Sequence, residues 1–404
     1  MAQVVIENRR EKIKPPLNTK HISKSALRQV IHNRLVKSGF SKNGKGYVIP
    51  DELNKQKVRD LHAPNRKELL QKVRSFVEKQ GPILAEHFAT GRQVNPETVD
   101  PELVEVAPDT LESNLFKLAT LLWSVPVSQG FGRRMRFLVR DRQNGKLIGL
   151  FALGDPVFNL SARDKWIGWS GEDRKERLIH VMDAYIVGSV PPYSQLIGGK
   201  LVAALMGSAE VLQTYERKYL NQTSVISGIA KHARLVLLTT TSALGRSALY
   251  NRLIVPGGPR FLRIGTTKGF GHFHLSGEAF ELMRLYLEQQ DHPYASGHRF
   301  GMGPNWRFRV ARTALEAIGL SGDSILRHGI EREVYAVPLA TNWKGILLGR
   351  DNRVHPCVLP AAEIARFCLQ RWIIPRSQRD RRYKRFARSS IMHCLLNGGP
   401  PAGW

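Results

Sequence analysis

Asn144-Gly145 constrains the fold of this chain more than any other pair of residues. It sits between two apolar runs in "RMRFLVRDRQNGKLIGLFALGD" (Arg134 to Asp155). Asn-Gly tolerates the positive backbone dihedrals of a tight turn, so a hairpin is predicted there. Further strand patterns follow in "HVMDAYIVGSV" (His180–Val190), "RLVLLTT" (Arg234–Thr240), "RFLRIG" and "GFGHFHL". Between them, "YSQLIGGKLVAALMGSAEVLQTYERKY" reads as a turn and then helix, and "GRSALYNRL" (Gly245–Leu253) as a short helix. The order β-β-β-α-β-α-β-β predicts an α+β fold with a mixed, mostly antiparallel sheet and flanking helices.

The flanks change period. In "SKSALRQVIHNRLVKSGF", Leu27, Val30, Ile31 and Leu35 share a helical face, Ser23 or Ser25 can cap it, and Gly39 ends it. Leu69, Leu70, Val73, Phe76 and Val77 form a second apolar face, expected to break at Gly81-Pro82. The segment "VNPETVDPELVEVAPDTLESN" is rich in proline and acid, as a boundary would be. Downstream, "NWRFRVARTALEAIGL" places Phe308, Ala311, Leu315 and Ile318 on one face before Gly319. Three regions are expected: a basic helical region over 1–112, an α/β core over 113–285, and a basic helical region over 286–404.

Charge narrows the partners. The 404 residues carry 61 Lys+Arg against 34 Asp+Glu, a formal charge of +27. Such a surplus draws polyanions by releasing their counterions, so nucleic acid is the expected partner, with DNA the expected form. An acidic protein partner, with this chain as a scaffold, is the alternative. In "RWIIPRSQRDRRYKRFARSS", the stretch from Arg371 to Arg388 holds seven arginines and one lysine against one aspartate, with Trp372, Tyr383 and Phe386 interleaved. Arg376, Arg379, Arg381, Arg382, Lys384 and Arg385 are the candidate phosphate contacts, and the aromatics can stack on bases. Arg133, Arg134 and Arg136 of "GRRMR", with Arg246, Lys268, Arg307 and Arg309, extend that set. A solvated helix with its aromatics docked on the core is the plainer alternative. Lysines and arginines between Lys12 and Lys45 make the N-terminal region positive as well.

Cys357, Cys368 and Cys394 form no CxxC pair, which excludes a cysteine-rich zinc module and fits a reducing compartment. The opening "MAQVVIENRREK" meets charge too early for a signal peptide, and no apolar run approaches membrane-spanning length. A cytoplasmic protein with no membrane segment is expected.

Several local patterns can carry chemistry. Gln195, Gly198, Gly199 and Lys200 lie where a strand feeds a helix, and unpaired N–H groups at such an end attract phosphate. His272 and His274 share one side of any strand, and His328 or Glu331 would have to complete a metal site, so no metal is assigned. Asp155 and Asp164 are possible acids without a spacing that demands a metal. Arg163, Asp164, Trp166 and Trp169 read better as a buried ion pair beneath tryptophans than as a phosphate grip. Ser247 near Tyr250 has no His–Asp arrangement with it, which weighs against a serine nucleophile.

The succession of hairpin, strand, Gln-x-x-Gly turn, helix, strand and "ALYNRL" resembles the acyl-CoA-binding core of the GNAT acyltransferase superfamily. That resemblance implies that Gln195, Gly198, Gly199 and Lys200 cradle an acyl-CoA pyrophosphate and that Tyr250 protonates the departing thiolate. The sequence departs from the pattern at Lys200, where the superfamily has Gly or Ala. Longer strings, among them "LLWSVPVSQGFGRRMRFLVRD", "ALGDPVFNLSARDKWIGW", "TTTSALGRSALYNRL" and "RIGTTKGFGHFH", are similar to the DruA family of Druantia anti-phage defence components. That similarity implies a role in bacterial immunity beside a large helicase-like partner, and it supplies no activity. Acyl or aminoacyl transfer therefore stands as the enzyme alternative to nucleic-acid binding.

Overall fold

The computed structural model describes residues 21–43, 46–48, 53–128, 132–220, 233–295 and 306–399, so Lys12, Lys14, Lys20 and Lys45 fall outside it. Two strands, β1 (Ser41–Asn43) and β2 (Gly46–Val48), pair as a small ribbon. Seven others form one open sheet: β3 (Pro101–Glu105), β4 (Arg134–Asp141), β5 (Lys146–Gly154), β6 (Val181–Ser189), β7 (Leu237–Thr241), β8 (Leu262–Thr266) and β9 (Glu333–Pro338). Their order is β3-β4-β5-β6-β7-β9-β8; β6 and β7 run parallel and every other neighbouring pair is antiparallel. The fold is thus α+β with a mixed, mostly antiparallel sheet.

The hairpin forms where the sequence puts it. Gly145 takes φ +70°, its N–H donates to Asp141 O at 2.7 Å, and Asn144 Oδ1 accepts from Lys146 N at 2.9 Å. Asp141 is fully buried at its base and accepts from Asp100 N at 2.9 Å and from Tyr193 OH at 2.7 Å. The hairpin is thereby tied both to the lead-in of β3 and to the turn after β6.

Strand β5 is apolar on both faces because both are covered. Ile148, Phe151 and Leu153 pack into the cluster shared with helices Gly198–Leu205 and Ala361–Cys368. Leu147, Leu150 and Ala152 meet helices Arg74–Ala85, Leu111–Thr120 and Ser389–Asn397. Burying a large aliphatic or Phe side chain contributes roughly 1.5–3 kcal/mol, well above what an exposed ion pair adds.

A further cluster joins residues far apart in sequence. Helix Lys24–Lys37, capped by Ser23 Oγ accepting from Ala26 N at 3.2 Å, buries Leu27, Ile31 and Leu35. They pack with Phe280 and Met283 of helix Glu278–Glu288 and with Leu315 of helix Trp306–Ala317.

Five local expectations are corrected. The proline- and acid-rich segment supplies edge strand β3, whose Leu103 and Val104 pair with β4. Helix Arg74–Ala85 runs through Gly81-Pro82 without a break, and Gly81 sits against Met392 so closely that a Cβ would lie 2.6 Å from its Cε. Gly245–Leu253 folds as successive turns, with φ +80° at Gly245 and +58° at Arg252, and forms no helix. "GFGHFHL" forms one bridge, Phe270 to Arg327, and a single 3-10 turn over Phe273–Leu275 in place of a strand. Strand β9 inserts between β7 and β8 from a stretch where only helix was expected. The sheet therefore draws strands from both sides of 113–285.

Candidate functional site

The turn after β6 is tight and inward-facing. Tyr193–Leu196 makes one 3-10 turn, Ile197 takes φ 61°, and helix Gly198–Leu205 follows. A Cβ on Gly198 would lie 2.7 Å from Tyr193 O, and one on Gly199 would lie 3.0 Å from Leu249 Cδ1. The backbone contact at Gly198 is one that the chain's own packing imposes, whereas Gly199 meets only the tip of a side chain. Lys200 Nζ donates to Leu249 O at 3.0 Å and Asn251 O at 2.9 Å, and it lies 5.2 Å from the Trp372 ring centre. Burial lowers the Lys200 pKa. Arg376 Nε donates to Gln195 O at 3.3 Å. The helix end is thus covered by Trp372 and Arg376 from the C-terminal segment, and Lys200 anchors the Leu249–Asn251 turn.

Tyr250 lies behind that anchor. It is buried, stacks parallel to Phe261 at 5.4 Å, and places its hydroxyl 3.3 Å from Thr240 Oγ1. Burial raises its pKa to about 12. Ser247 Oγ accepts from Tyr250 N at 2.9 Å, so this serine holds the turn.

Tyr250 also lines an open groove where these strands part. Strands β6 and β7 pair from Val181 and Leu237 only as far as Ala184 and Thr240, and a bulge in the β5–β6 ladder leaves Tyr185 without a partner residue. A groove of about 810 Å³ occupies the divergence. One wall is the face of helix Lys55–Lys72 that carries Arg59 and Lys67; the opposite wall includes Trp123, Tyr185, Val187 and Leu244. Among the described residues Arg59 and Lys67 enter no ion pair, whereas Arg74 at the end of that wall pairs with Glu78 at 2.7 Å. Arg66, buried but part of the lining, donates to Trp123 O at 3.0 Å, Leu121 O at 3.3 Å and Gly398 O at 2.6 Å. The sequence signal for this wall is the spacing of Arg59, Ala63 and Lys67 four apart on one helical face, a stripe that the sequence reading passed over.

The C-terminal arginines divide into two groups. Asp380 takes both Arg376 at 2.8 Å and Arg382 at 2.6 Å, and these bonds, chiefly from Arg382, hold its carboxyl well below the usual range. Arg388 pairs with Glu86. Arg379, Arg381, Lys384 and Arg385 are exposed and enter no ion pair among the described residues. Tyr383 and Phe386 are buried, so these two aromatics serve the core and are not free to stack on bases, while Trp372 is half-buried. This row lies beside the Gly91–Gln93 turn, where Gly91 N donates to Phe386 O at 2.9 Å, and exposed Arg92 adds to it.

The core arginines are scattered. Arg133 is held inside by Asp155, Ile179 O at 2.7 Å and Val181 O at 3.2 Å. Arg134 is exposed, and Arg136 lies 5.8 Å from the Phe116 ring centre. Both stand at the start of β4, roughly 25 Å along the strand from the hairpin near which the C-terminal row sits. Arg246 and Lys268 are exposed in loops; Arg307 is exposed 4.8 Å from the Phe280 ring centre, and Arg309 is half-buried 5.5 Å from that of Tyr294.

Histidines gather at the junction between the N-terminal helices and the sheet. His274 Nε2 bonds Ile325 O at 2.8 Å, its ring lies 6.2 Å from that of His328, and His62 stacks on Phe273 at 4.1 Å. His62 joins this group only through tertiary structure. Burial lowers His62 and His274 to about 3 and His272 and His328 to about 4, so all four are neutral near pH 7. Among the described residues no three His, Cys, Asp or Glu side chains are placed to hold a metal. Arg163 is fully buried with Asp164 at 2.7 Å, 5.4 Å from the Trp169 ring centre, which is the structural arrangement expected for that stretch. Trp166 stacks on Trp343 at 4.4 Å. Among the described residues no helix is long and apolar enough to cross a membrane.

Comparison with known proteins gives a family. The model of the family described as Druantia protein DruA matches residues 52–349. A curated protein of that name from Escherichia coli (strain UMEA 4076-1) is 41% identical over 378 residues, covering 93% of each chain. No solved structure matches. The matched span takes in the groove wall, the turn after β6, the histidine junction and β9 but stops short of the C-terminal row, and on both matches the chain belongs to the DruA family.

Proposed function

We propose that this chain is a nucleic-acid-binding component of a Druantia anti-phage defence system, with DNA the expected target and a recognition or loading role beside a helicase-like partner. The observation that carries the proposal is the unneutralised row Arg379, Arg381, Lys384 and Arg385, exposed in a molecule of formal charge +27. Guanidinium groups free of carboxylates can bridge phosphate oxygens, and each phosphate neutralised releases counterions. Arg376 and Arg382 share one carboxylate and so contribute less. Mobility shifts with a duplex at several salt concentrations test this. Binding should weaken steeply with salt, and reversing Arg381 and Arg385 to Glu should cut affinity about tenfold and flatten the salt slope by about two contacts. No binding at low salt, or a salt-insensitive affinity, removes the proposal.

A second reading, an acyltransferase of GNAT-like architecture, is favoured by the parallel β6–β7 pair and by the turn that feeds helix Gly198–Leu205. Against it, Lys200 is engaged with Leu249 O and Trp372, and Arg376 with Gln195 O, at the turn that would have to cradle the pyrophosphate. Titration calorimetry with acetyl-CoA separates the two: saturable binding abolished by Gly198→Asp would favour the transferase.

A further inference from the structure

We propose that the groove in the β6–β7 divergence is a second nucleic-acid site that takes one or two unpaired nucleotides, with bases against Trp123 and Tyr185 and phosphate at Arg59 and Lys67. The inference rests on the nucleic-acid reading and deepens it, by adding a single-strand site to the surface row.

Three observations carry it. The groove's volume of about 810 Å³ is that of a ligand site, so it admits a splayed nucleotide and not a duplex. Its two walls differ in chemistry: helix Lys55–Lys72 carries Arg59 and Lys67, which enter no ion pair among the described residues, and the sheet side carries an indole, a phenol and aliphatic groups. That pairing of a cationic track with aromatic faces is how single strands are held without sequence readout. The charge also continues past the aromatic wall. Arg136 lies across β5 from the lining residue Ile186, and exposed Arg246 stands two residues beyond Leu244. Among the described residues Asp60 is the one acid on the lining, and it accepts from Gln56 Nε2 at 2.9 Å.

The aromatic wall is firm. Trp123 packs on β6 so tightly that a Cβ at Gly188 would lie 2.6 Å from its Cζ2. Tyr185 is fixed by the bulge, and its ring would sit 3.0 Å from a Cβ at Gly154. Glycine at both positions lets the rings approach the strand backbone closely.

Fluorescence anisotropy with a labelled oligothymidylate and a duplex of equal length tests the site on the full chain. Arg59→Glu with Lys67→Glu should lower single-strand affinity at least ~10-fold and duplex affinity less than ~2-fold. Arg381→Glu with Arg385→Glu should weaken the duplex most. Thymidine monophosphate in excess should compete only weakly with the oligonucleotide; complete competition would reassign the groove to free nucleotides. Ultraviolet cross-linking of a thiothymidine oligonucleotide to the wild-type chain guards against misfolded variants, with adducts expected in peptides spanning 55–74 or 122–127. Equal losses for both substrates, adducts only in 371–388, or displacement of the oligonucleotide by acetyl-CoA overturn the groove site and leave the surface row standing. Failure of the wild-type chain to bind any nucleic acid removes both.

Discussion

The two sides of the β6–β7 divergence use the same strands and end differently. On one side the turn Gln195–Lys200 opens a helix, as a phosphate cradle does, but Lys200 bonds two carbonyls of the chain and Trp372 and Arg376 lie across it. On the other side no local motif announces anything, yet helix Lys55–Lys72 stands off the sheet and leaves the groove. A loop shape is therefore a weaker guide to binding than what covers it. Cationic side chains on the sealed side spend their hydrogen bonds internally, whereas Arg59 and Lys67 on the open side do not.

Acidification should separate the two sides most strongly. His62 belongs to the helix that walls the groove, and with His272, His274 and His328 it is held neutral by burial, at about 3 to 4 against 6.5 in the unfolded chain. The unfolded state binds more protons below pH 6.5, so the stability these groups contribute is full above that value and is lost as pH falls toward 4 and then 3. Arg332, whose Nη2 lies 3.3 Å from His62 Nε2, opposes protonation further. Hydrogen exchange at pH 7.5 and 5 should show Lys55–Lys72 and Phe273–Leu275 losing protection while Gly198–Leu205 keeps it. Uniform loss would break the comparison.

Next in size is Arg66→Met. It leaves the carbonyls of Leu121, Trp123 and Gly398 without their buried donor and should cost about 3 kcal/mol in denaturant unfolding. Gly198→Ala should cost about 1–3 kcal/mol, because its Cβ meets the backbone at Tyr193; a loss of only a few tenths would mean that the turn is an open cradle after all. Lys200→Met should cost about 1–2 kcal/mol by removing two bonds to the Leu249–Asn251 turn. The same variant should leave acetyl-CoA binding unchanged in calorimetry; a gain would show that Lys200 alone blocks the site.

The sequence by itself determined the elements whose signals are local. Asn144-Gly145 made the β4–β5 hairpin because few residues accept positive φ, Ser23 capped its helix, and the apolar period set helices Lys24–Lys37 and Trp306–Ala317. It also determined the family and the excess positive charge. Tertiary structure decided the rest. Strand β9 looks ordinary until β7 and β8 close on it, and β3 forms in a proline-rich stretch because β4 offers an edge. Which arginines are free was likewise settled by contact: Arg133 went inside with Asp155, Asp380 claimed two of the C-terminal row, and the groove set the cations of Lys55–Lys72 among aromatics from separate segments. Local propensity acts over a few residues, whereas burial and ion pairing depend on partners brought from hundreds of residues away, and no window of the chain contains them.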